Sequence, residues 1–242
     1  MALNPLIILV GIFAIVLVSI FIIVGITIAL KYREKKDKIY IYFGLTWIGM
    51  VEAWYATSIS FLVYLVNGKG LPPEIFFIIA VGFYPIISIF WIIAFTELLY
   101  KKWQKPLVII YIILGIIYEI IFYIWLFTDH SLIAVLNNPV DAKYGMLITL
   151  YVVFILAGTL LVTGLIIAIK SIRSDVPEHK LRGIFLIIAL FSFVIGSYLD
   201  SSIELDFLTL IITRLILISS AFEFYCAFVL PMWLKKIVLK KE

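Results

Sequence analysis

Residues 206–235 read DFLTLIITRLILISSAFEFYCAFVLPMWLK, an apolar stretch long enough to cross a membrane that carries two full charges, Arg214 and Glu223. A charged side chain at membrane depth costs about 2.5–3.5 kcal/mol on insertion scales, so both are expected to face protein or water rather than lipid. They are nine residues apart, which at about 100° per residue puts them on opposite faces of one helix. This helix therefore needs neighbours on two sides, and we expect it to lie centrally in a bundle.

The chain as a whole has the composition of a membrane protein. Of its 242 residues 65% are hydrophobic and 14% are charged, whereas soluble domains average about 45–50% apolar and 25% charged residues. A hydrocarbon core about 30 Å thick is crossed by about 20 helical residues. Seven runs meet this length, at approximately residues 5–30, 39–66, 74–99, 106–128, 145–169, 183–200 and 207–234. The sequence predicts an all-α polytopic membrane protein, with residues 1–242 forming a single domain of seven transmembrane helices.

The distribution of lysine and arginine predicts the orientation of these helices. Sixteen of the 19 Lys and Arg residues fall in alternate loops and the C-terminal tail: Lys31, Arg33, Lys35, Lys36, Lys38, Lys101, Lys102, Lys105, Lys170, Arg173, Lys180, Arg182, Lys235, Lys236, Lys240 and Lys241. Only Lys69 and Lys143 fall in the opposite loops. Because basic loops stay on the cytoplasmic side, we expect the N-terminus outside and the C-terminus in the cytoplasm of a cell membrane protein.

Two further features concern the loops and the helix interiors. The longest predicted outer loop contains Asn137, Asn138 and Pro139, which favour a turn. This loop is either a plain connection or a lid over the outer mouth of the bundle. Pro85 and Pro231 lie inside predicted helices and are expected to kink them.

Ionisable residues inside membrane helices are candidates for function. Here they are Glu52, Glu119, Arg214 and Glu223, with Asp200 at the outer end of the sixth helix. At 1.5 Å per residue, Glu52 and Glu119 lie about 20 Å from the inner ends of their helices and Arg214 about 12 Å from its outer end. These three therefore share one depth, which makes the two carboxylates partners for Arg214, with Asp200 as a third choice. The cluster is either a structural ion-pair network or a ligand or proton site.

Several activities have no support in the sequence. HExxH, Walker A, GxGxxG and GxSxG motifs are absent, and no predicted helix contains a histidine. A retinal Schiff base needs a lysine in the middle of the seventh helix, which has none before Lys235. Cys226 is the single cysteine and is expected to be a buried thiol. We therefore expect no enzyme activity, no metal, no cofactor and no nucleic-acid binding.

Two stretches carry a resemblance to known proteins. FTELLYKKWQKP (95–106) and RLILISSAFEFYCAFVLPMWLKK (214–236), with 15 Lys against 4 Arg, resemble uncharacterised seven-helix membrane proteins of archaeal genomes. The layout is also broadly similar to the seven-helix sensor modules of histidine kinases. Those kinases carry a catalytic domain after the seventh helix, so the resemblance implies that the signal of this chain would pass to a separate protein. It assigns no functional residues.

Three functions are compatible with this reading. The first is a receptor-like sensory bundle, whose ligand pocket opens outward among helices 2, 3, 4 and 7 and whose basic inner face docks a cytoplasmic or membrane partner protein. The second is a small-solute or proton-coupled transporter of 3+1+3 layout, similar to the sugar-transporting SWEET proteins but without their PQ-type motif. The third is a structural subunit of a membrane complex. In each case the lipid bilayer is a partner.

Overall fold

The computed structural model of the protein describes residues 4–203 and 206–239, and 84% of the structure is helical. Lys240 and Lys241 of the predicted basic tail lie outside the described residues. The α-helices are α1 (Pro5–Lys35), α2 (Ile39–Gly49), α3 (Glu52–Asn67), α4 (Pro73–Val81), α5 (Tyr84–Leu99), α6 (Gln104–Thr128), α7 (Met146–Leu150), α8 (Gly158–Ile172), α9 (Pro177–Ser202), α10 (Phe207–Val229) and α11 (Met232–Val238). A π-helical stretch, Tyr151–Ala157, joins α7 to α8.

The lengths of these helices fit a protein that crosses a membrane several times. Within the described residues, six helical segments are long and apolar enough to span a bilayer if α4 with α5, and α7 with α8, are each counted as one. The bent pair of α2 and α3 would be a seventh. Two predicted boundaries differ from the structure. The first helix continues to Lys35 rather than residue 30, and the sixth begins at Pro177 rather than residue 183. In both cases charged residues extend a helix past the end of its apolar run.

Three of the predicted helices are interrupted. Those containing Pro85 and Pro231 break as predicted, between α4 and α5 and between α10 and α11, where Leu230 takes a left-handed conformation with φ of 48°. The second predicted helix also breaks, between α2 and α3, with a bend of 49° and no proline. The run predicted over residues 39–66 therefore consists of two helices that together are long enough to span a bilayer.

The helices form a closed bundle in which α1 packs against α2, α3 and α10, α9 packs against α8 and α10, and α5 packs against α2, α6 and α8. The centre is aromatic: the Phe21 and Trp47 rings stack at 5.6 Å, and Phe193 and Phe224 pack against Trp47. α10 packs against α1 and α9, but another of its faces, which carries Leu208, Leu215 and Phe222, is exposed. The expectation that the seventh helix is central is therefore wrong.

The two ends of the bundle differ in structure. At one end, which we call the hairpin end, strands β1 (Ala134–Asn138) and β2 (Asp141–Tyr144) pair antiparallel around the turn predicted at Pro139. Val140 of this turn is buried against α1, α3 and α10, and its carbonyl accepts a hydrogen bond from Thr57 Oγ1 at 3.1 Å. The loop is therefore an anchored hairpin. The other end, the basic end, collects the basic segments that join α1 to α2, α5 to α6 and α8 to α9.

At the hairpin end, Asp206 begins α10 with a reciprocal cap. Its carboxylate accepts a hydrogen bond from the backbone N–H of Thr209, whose hydroxyl in turn accepts one from the backbone N–H of Asp206. These bonds to Thr209 lower the pKa of the Asp206 carboxyl.

Candidate functional site

Two of the helix breaks meet inside the bundle. One lies between α2 and α3 at residues 50–51, and the other lies between α4 and α5 at residues 82–83. Both interruptions lie near the middle of a membrane-length segment, where backbone groups cannot turn to water. Each backbone group that leaves the helical pattern at these breaks therefore needs a partner from elsewhere in the protein.

Glu52 joins the two breaks. It is the first residue of α3, and its Oε1 accepts a hydrogen bond of 2.6 Å from the backbone N–H of Phe83, the residue that precedes α5. In a continuous helix that N–H would donate to the carbonyl of Ile79. The Glu52 carboxylate therefore lies at the N-termini of α3 and α5, and the positive ends of both helix dipoles favour its negative charge.

Two tyrosines satisfy the carbonyls that the breaks release. Tyr55 Oη donates to the carbonyl of Ile48 at 3.0 Å on the α2 side. Tyr118 Oη donates to the carbonyl of Val81 at 2.8 Å on the α4 side. A regular helix would give Val81 the N–H of residue 85, which is a proline and has none. Tyr118 of α6 therefore completes the hydrogen bonding of the backbone at this break.

Tyr118→Phe is expected to destabilise the protein by about 1–2 kcal/mol, because the buried Val81 carbonyl loses its donor. In a Pro85→Ala background the backbone N–H of residue 85 is restored, and the penalty for Tyr118→Phe should shrink. A double-mutant cycle, measured as the free energy of unfolding in detergent micelles, checks this expectation. Equal penalties in the two backgrounds would show that Tyr118 does not serve the carbonyl released by Pro85.

The second oxygen of Glu52 is without a partner in residues 4–203 and 206–239. The side chain is 4% exposed, and among the described residues Oε2 has no hydrogen bond. Glu52 lines a cleft of about 390 Å³ between the two broken pairs, together with Tyr55, Phe83, Phe90 and aliphatic side chains that include Ile48 and Ile86. We call this the Glu52 cleft. It combines apolar walls, three aromatic rings and one buried, half-satisfied carboxylate.

The Glu52 cleft opens sideways rather than outward. Phe83 and Ile86 at its rim are 52% and 46% exposed, although both lie well inside a membrane-length segment. All of its lining residues belong to the segments from α2 to α5. The Glu52 cleft therefore differs from the predicted pocket, which was shared by helices 2, 3, 4 and 7 and opened to the outside.

Arg214 forms a separate group nearer the hairpin end. Its Nη2 lies 3.2 Å from Oδ1 of Asp200 on α9; the Arg214 side chain is buried and that of Asp200 is largely buried. Oδ2 of Asp200 accepts a hydrogen bond of 3.0 Å from Trp54 Nε1, and the Arg214 guanidinium lies 5.6 Å from the centre of the Trp54 ring. These contacts join α3, α9 and α10.

The structure thus selects the third of the three partners considered for Arg214. Glu52 turns toward the Phe83 N–H instead, and in the described part of the chain the ion pair of Arg214 is with Asp200 alone. The prediction from depth was wrong because two residues at the same depth meet only if both helices are rotated so that their side chains face each other. Asp200 is favoured because α9 and α10 are consecutive and packed against each other.

The other two candidates remain apart from Arg214. Glu119 on α6 is partly exposed. Glu223 on α10 is partly buried, and its Oε2 has no hydrogen-bond partner in residues 4–203 and 206–239. The same residues contain no group of three His, Cys, Asp or Glu side chains able to hold a metal ion.

Sequence reasoning missed the role of Arg182, which was assigned to a loop. It lies in α9, and its guanidinium donates to the carbonyls of Ala227, Phe228 and Val229 at the end of α10. The break before Pro231 releases these carbonyls. Two features of the sequence could have indicated this role. Pro177 is a typical first residue of a helix that would include Arg182, and Pro231 interrupts the seventh predicted helix near the same end of the bundle.

Comparison with known proteins leaves the site to be interpreted from its own geometry. The chain matches no protein-family model, no curated protein and no solved structure.

Proposed function

We propose that the protein is a receptor-like sensory bundle of the cell membrane that binds a small ligand in the Glu52 cleft. The observation that carries this proposal is Oε2 of Glu52, which has no hydrogen-bond partner among the described residues and belongs to a side chain that lines the cleft between two broken helices. Burying a polar atom without a hydrogen-bond partner costs free energy. Such an atom therefore favours a partner that binds reversibly, as a ligand does. Cavities of about 300–1,000 Å³ with apolar walls and few polar groups are typical ligand sites.

The two helix breaks connect ligand binding in the cleft to both ends of the bundle. Glu52 holds two half-helices, α3 and α5, that begin at the cleft and run in opposite directions, α3 to the hairpin end and α5 to the basic end. A ligand that bonds to Oε2 would change the charge and hydrogen bonding at both starting points. Short breaks of this kind absorb changes in backbone angles while the flanking helices stay rigid.

The proposed output is at the basic end. By the positive-inside rule this end lies in the cytoplasm, with the N-terminus outside. The output would pass to a cytoplasmic or membrane partner protein that docks on the basic loops, as the resemblance to histidine-kinase sensor modules implies. No enzyme activity, metal, cofactor or nucleic acid takes part in this scheme.

A transporter is the second candidate, and one observation favours it. In many transporters the substrate site lies near the bilayer midplane, between interrupted helices whose N-termini point at an anionic group. The N-termini of α3 and α5 meet at Glu52 in a comparable way. The sensory function remains the first proposal because the cleft is lined by α2 to α5 alone and the anchored hairpin covers one end of the bundle.

Ligand-induced stabilisation and solute flux separate these two functions. A panel of small amphiphiles and solutes is screened for compounds that raise the melting temperature of the protein in lipid nanodiscs. The compounds found are then tested, radiolabelled, for flux into proteoliposomes. A sensory bundle predicts stabilisation that Glu52→Gln abolishes, without flux above protein-free liposomes. Flux that depends on Glu52 would establish the transporter, and stabilisation unaffected by Glu52→Gln would remove the site.

A further inference from the structure

We infer that the Glu52 cleft selects a hydrophobic organic cation, an amphiphile whose ammonium group donates to Glu52 Oε2 and whose apolar body enters from the lipid. This inference rests on the proposed ligand site and names the class of ligand. Four observations support it: the acidic side chain without a counter-charge among the described residues, the aromatic rings around it, the side on which the cleft opens and its volume.

The Glu52 carboxyl group has no counter-charge in the described part of the chain, because none of the ion pairs there includes it. Oε1 is occupied by the Phe83 N–H, which leaves Oε2 as a buried acceptor. An ammonium group supplies both missing elements, a counter-charge and N–H donors, whereas an alcohol supplies a donor alone.

The walls suit a cation with an apolar body. Tyr55, Phe83 and Phe90 provide aromatic rings within the same cleft, and the remaining lining side chains are aliphatic apart from Glu52. The faces of aromatic rings attract cations, more strongly where water is excluded. An anionic amphiphile would bring a second acidic group beside Glu52 and is disfavoured.

The opening and the volume indicate a ligand that dissolves in the membrane. The exposed rim side chains, Phe83 and Ile86, lie where a membrane-spanning segment contacts lipid tails. A cavity of about 390 Å³ is at the small end of the range for ligand sites. It therefore suits a single short chain or a compact ring system rather than a two-tailed phospholipid.

A matched series of eight-carbon probes tests the inference. Octylamine is an ammonium ion at pH 7, as the lysine side chain is, whereas octan-1-ol is a neutral donor and octanoate an anion. Binding of radiolabelled octylamine to the protein in nanodiscs is measured by equilibrium dialysis, with empty nanodiscs subtracted. We expect saturable binding to one site, competed at least tenfold more weakly by octan-1-ol and not by octanoate.

Variants connect this binding to the cleft. Glu52→Gln keeps the size and one acceptor but removes the charge, and should weaken octylamine binding tenfold or more. Glu223→Gln removes an intramembrane carboxylate that does not line the cleft and should leave binding unchanged. Ile86→Trp fills the rim and should also reduce binding, in a variant whose Glu52–Phe83 contact is intact.

The outcomes separate the two proposals. Saturable, Glu52-dependent binding in which octan-1-ol matches octylamine would overturn the choice of a cation and leave the ligand site in place. Octylamine that binds through Glu52 and also enters proteoliposomes faster than protein-free liposomes, by a route that Glu52→Gln abolishes, would support the cation and overturn the sensory function. Octylamine that partitions into wild-type, Glu52→Gln and empty nanodiscs equally would overturn the inference. In that case the panel of amphiphiles still tests the proposed function.

Discussion

Arg214→Leu is expected to lower the free energy of unfolding by about 3–5 kcal/mol, because it leaves Asp200 as an uncompensated buried charge. The pair is close, with 3.2 Å between Nη2 and Oδ1, and its side chains are 3% and 11% exposed. The same substitution removes the guanidinium that lies over the Trp54 ring. The measurement is unfolding by a denaturing detergent, followed by circular dichroism in mixed micelles.

Second-site variants identify the partner of Arg214. Asp200→Asn removes the stranded charge but keeps an oxygen for the Trp54 N–H, so it should recover part of the stability of Arg214→Leu. Glu119→Gln should recover none, because Glu119 lies outside this group. Arg173→Leu, an exposed residue of the basic end, should change stability by less than about 0.5 kcal/mol. A neutral Arg214→Leu, or rescue by Glu119→Gln, would show that the Arg214–Asp200 pair does not hold the helices together.

The free energy of unfolding of Glu52→Leu is expected to be about 1–3 kcal/mol lower than that of Glu52→Gln. Both substitutions remove the carboxylate charge, so the cost of burying that charge cancels in the comparison. Glutamine keeps an oxygen that can accept from the Phe83 N–H, whereas leucine leaves this N–H without a partner inside the bundle. The difference between the two variants therefore isolates the hydrogen bond that joins the helix breaks.

The corresponding pair of variants at Glu119 is the control. Glu119 is a carboxylate of another membrane-length helix, α6, and caps no helix break that the structure describes. Glu119→Leu and Glu119→Gln should therefore differ by less than about 0.5 kcal/mol. Equal stabilities for Glu52→Leu and Glu52→Gln, measured under the same conditions, would mean that Glu52 does not serve the N–H of Phe83.

Patterns along the chain were sufficient for the helices and for some interruptions. Apolar runs of about 20 residues predicted the membrane-length segments, and Pro85 and Pro231 predicted two of the three breaks. Proline identifies a break locally because it lacks an N–H whatever surrounds it. The same local reasoning identified Glu52, Asp200, Arg214 and Glu223 as unusual, because charges are rare in apolar runs.

Contacts across the bundle were beyond the reach of these patterns. The break before Glu52 has no proline. Tyr55, in the first turn of α3, supplies a donor for the Ile48 carbonyl, and the Glu52 side chain accepts from the N–H of Phe83 at the other break. The tight packing of Gly49 against Ile87 of α5 at this point is also a tertiary contact. Arg214 was assigned by depth, which left open the direction that each side chain faces, and Arg182 was assigned to a loop although it caps α10.

The hydrogen bond between Glu52 and Phe83 carries both the proposed site and its link to the two half-helices. The most direct measurement is the amide signal of Phe83 in ¹⁵N-phenylalanine-labelled protein in nanodiscs, assigned by its loss in Phe83→Leu. A charge-assisted bond to a carboxylate predicts a downfield amide proton that moves upfield in Glu52→Leu and stays in place in Glu223→Gln. A Phe83 signal that is the same in wild-type protein and in Glu52→Leu would contradict the account.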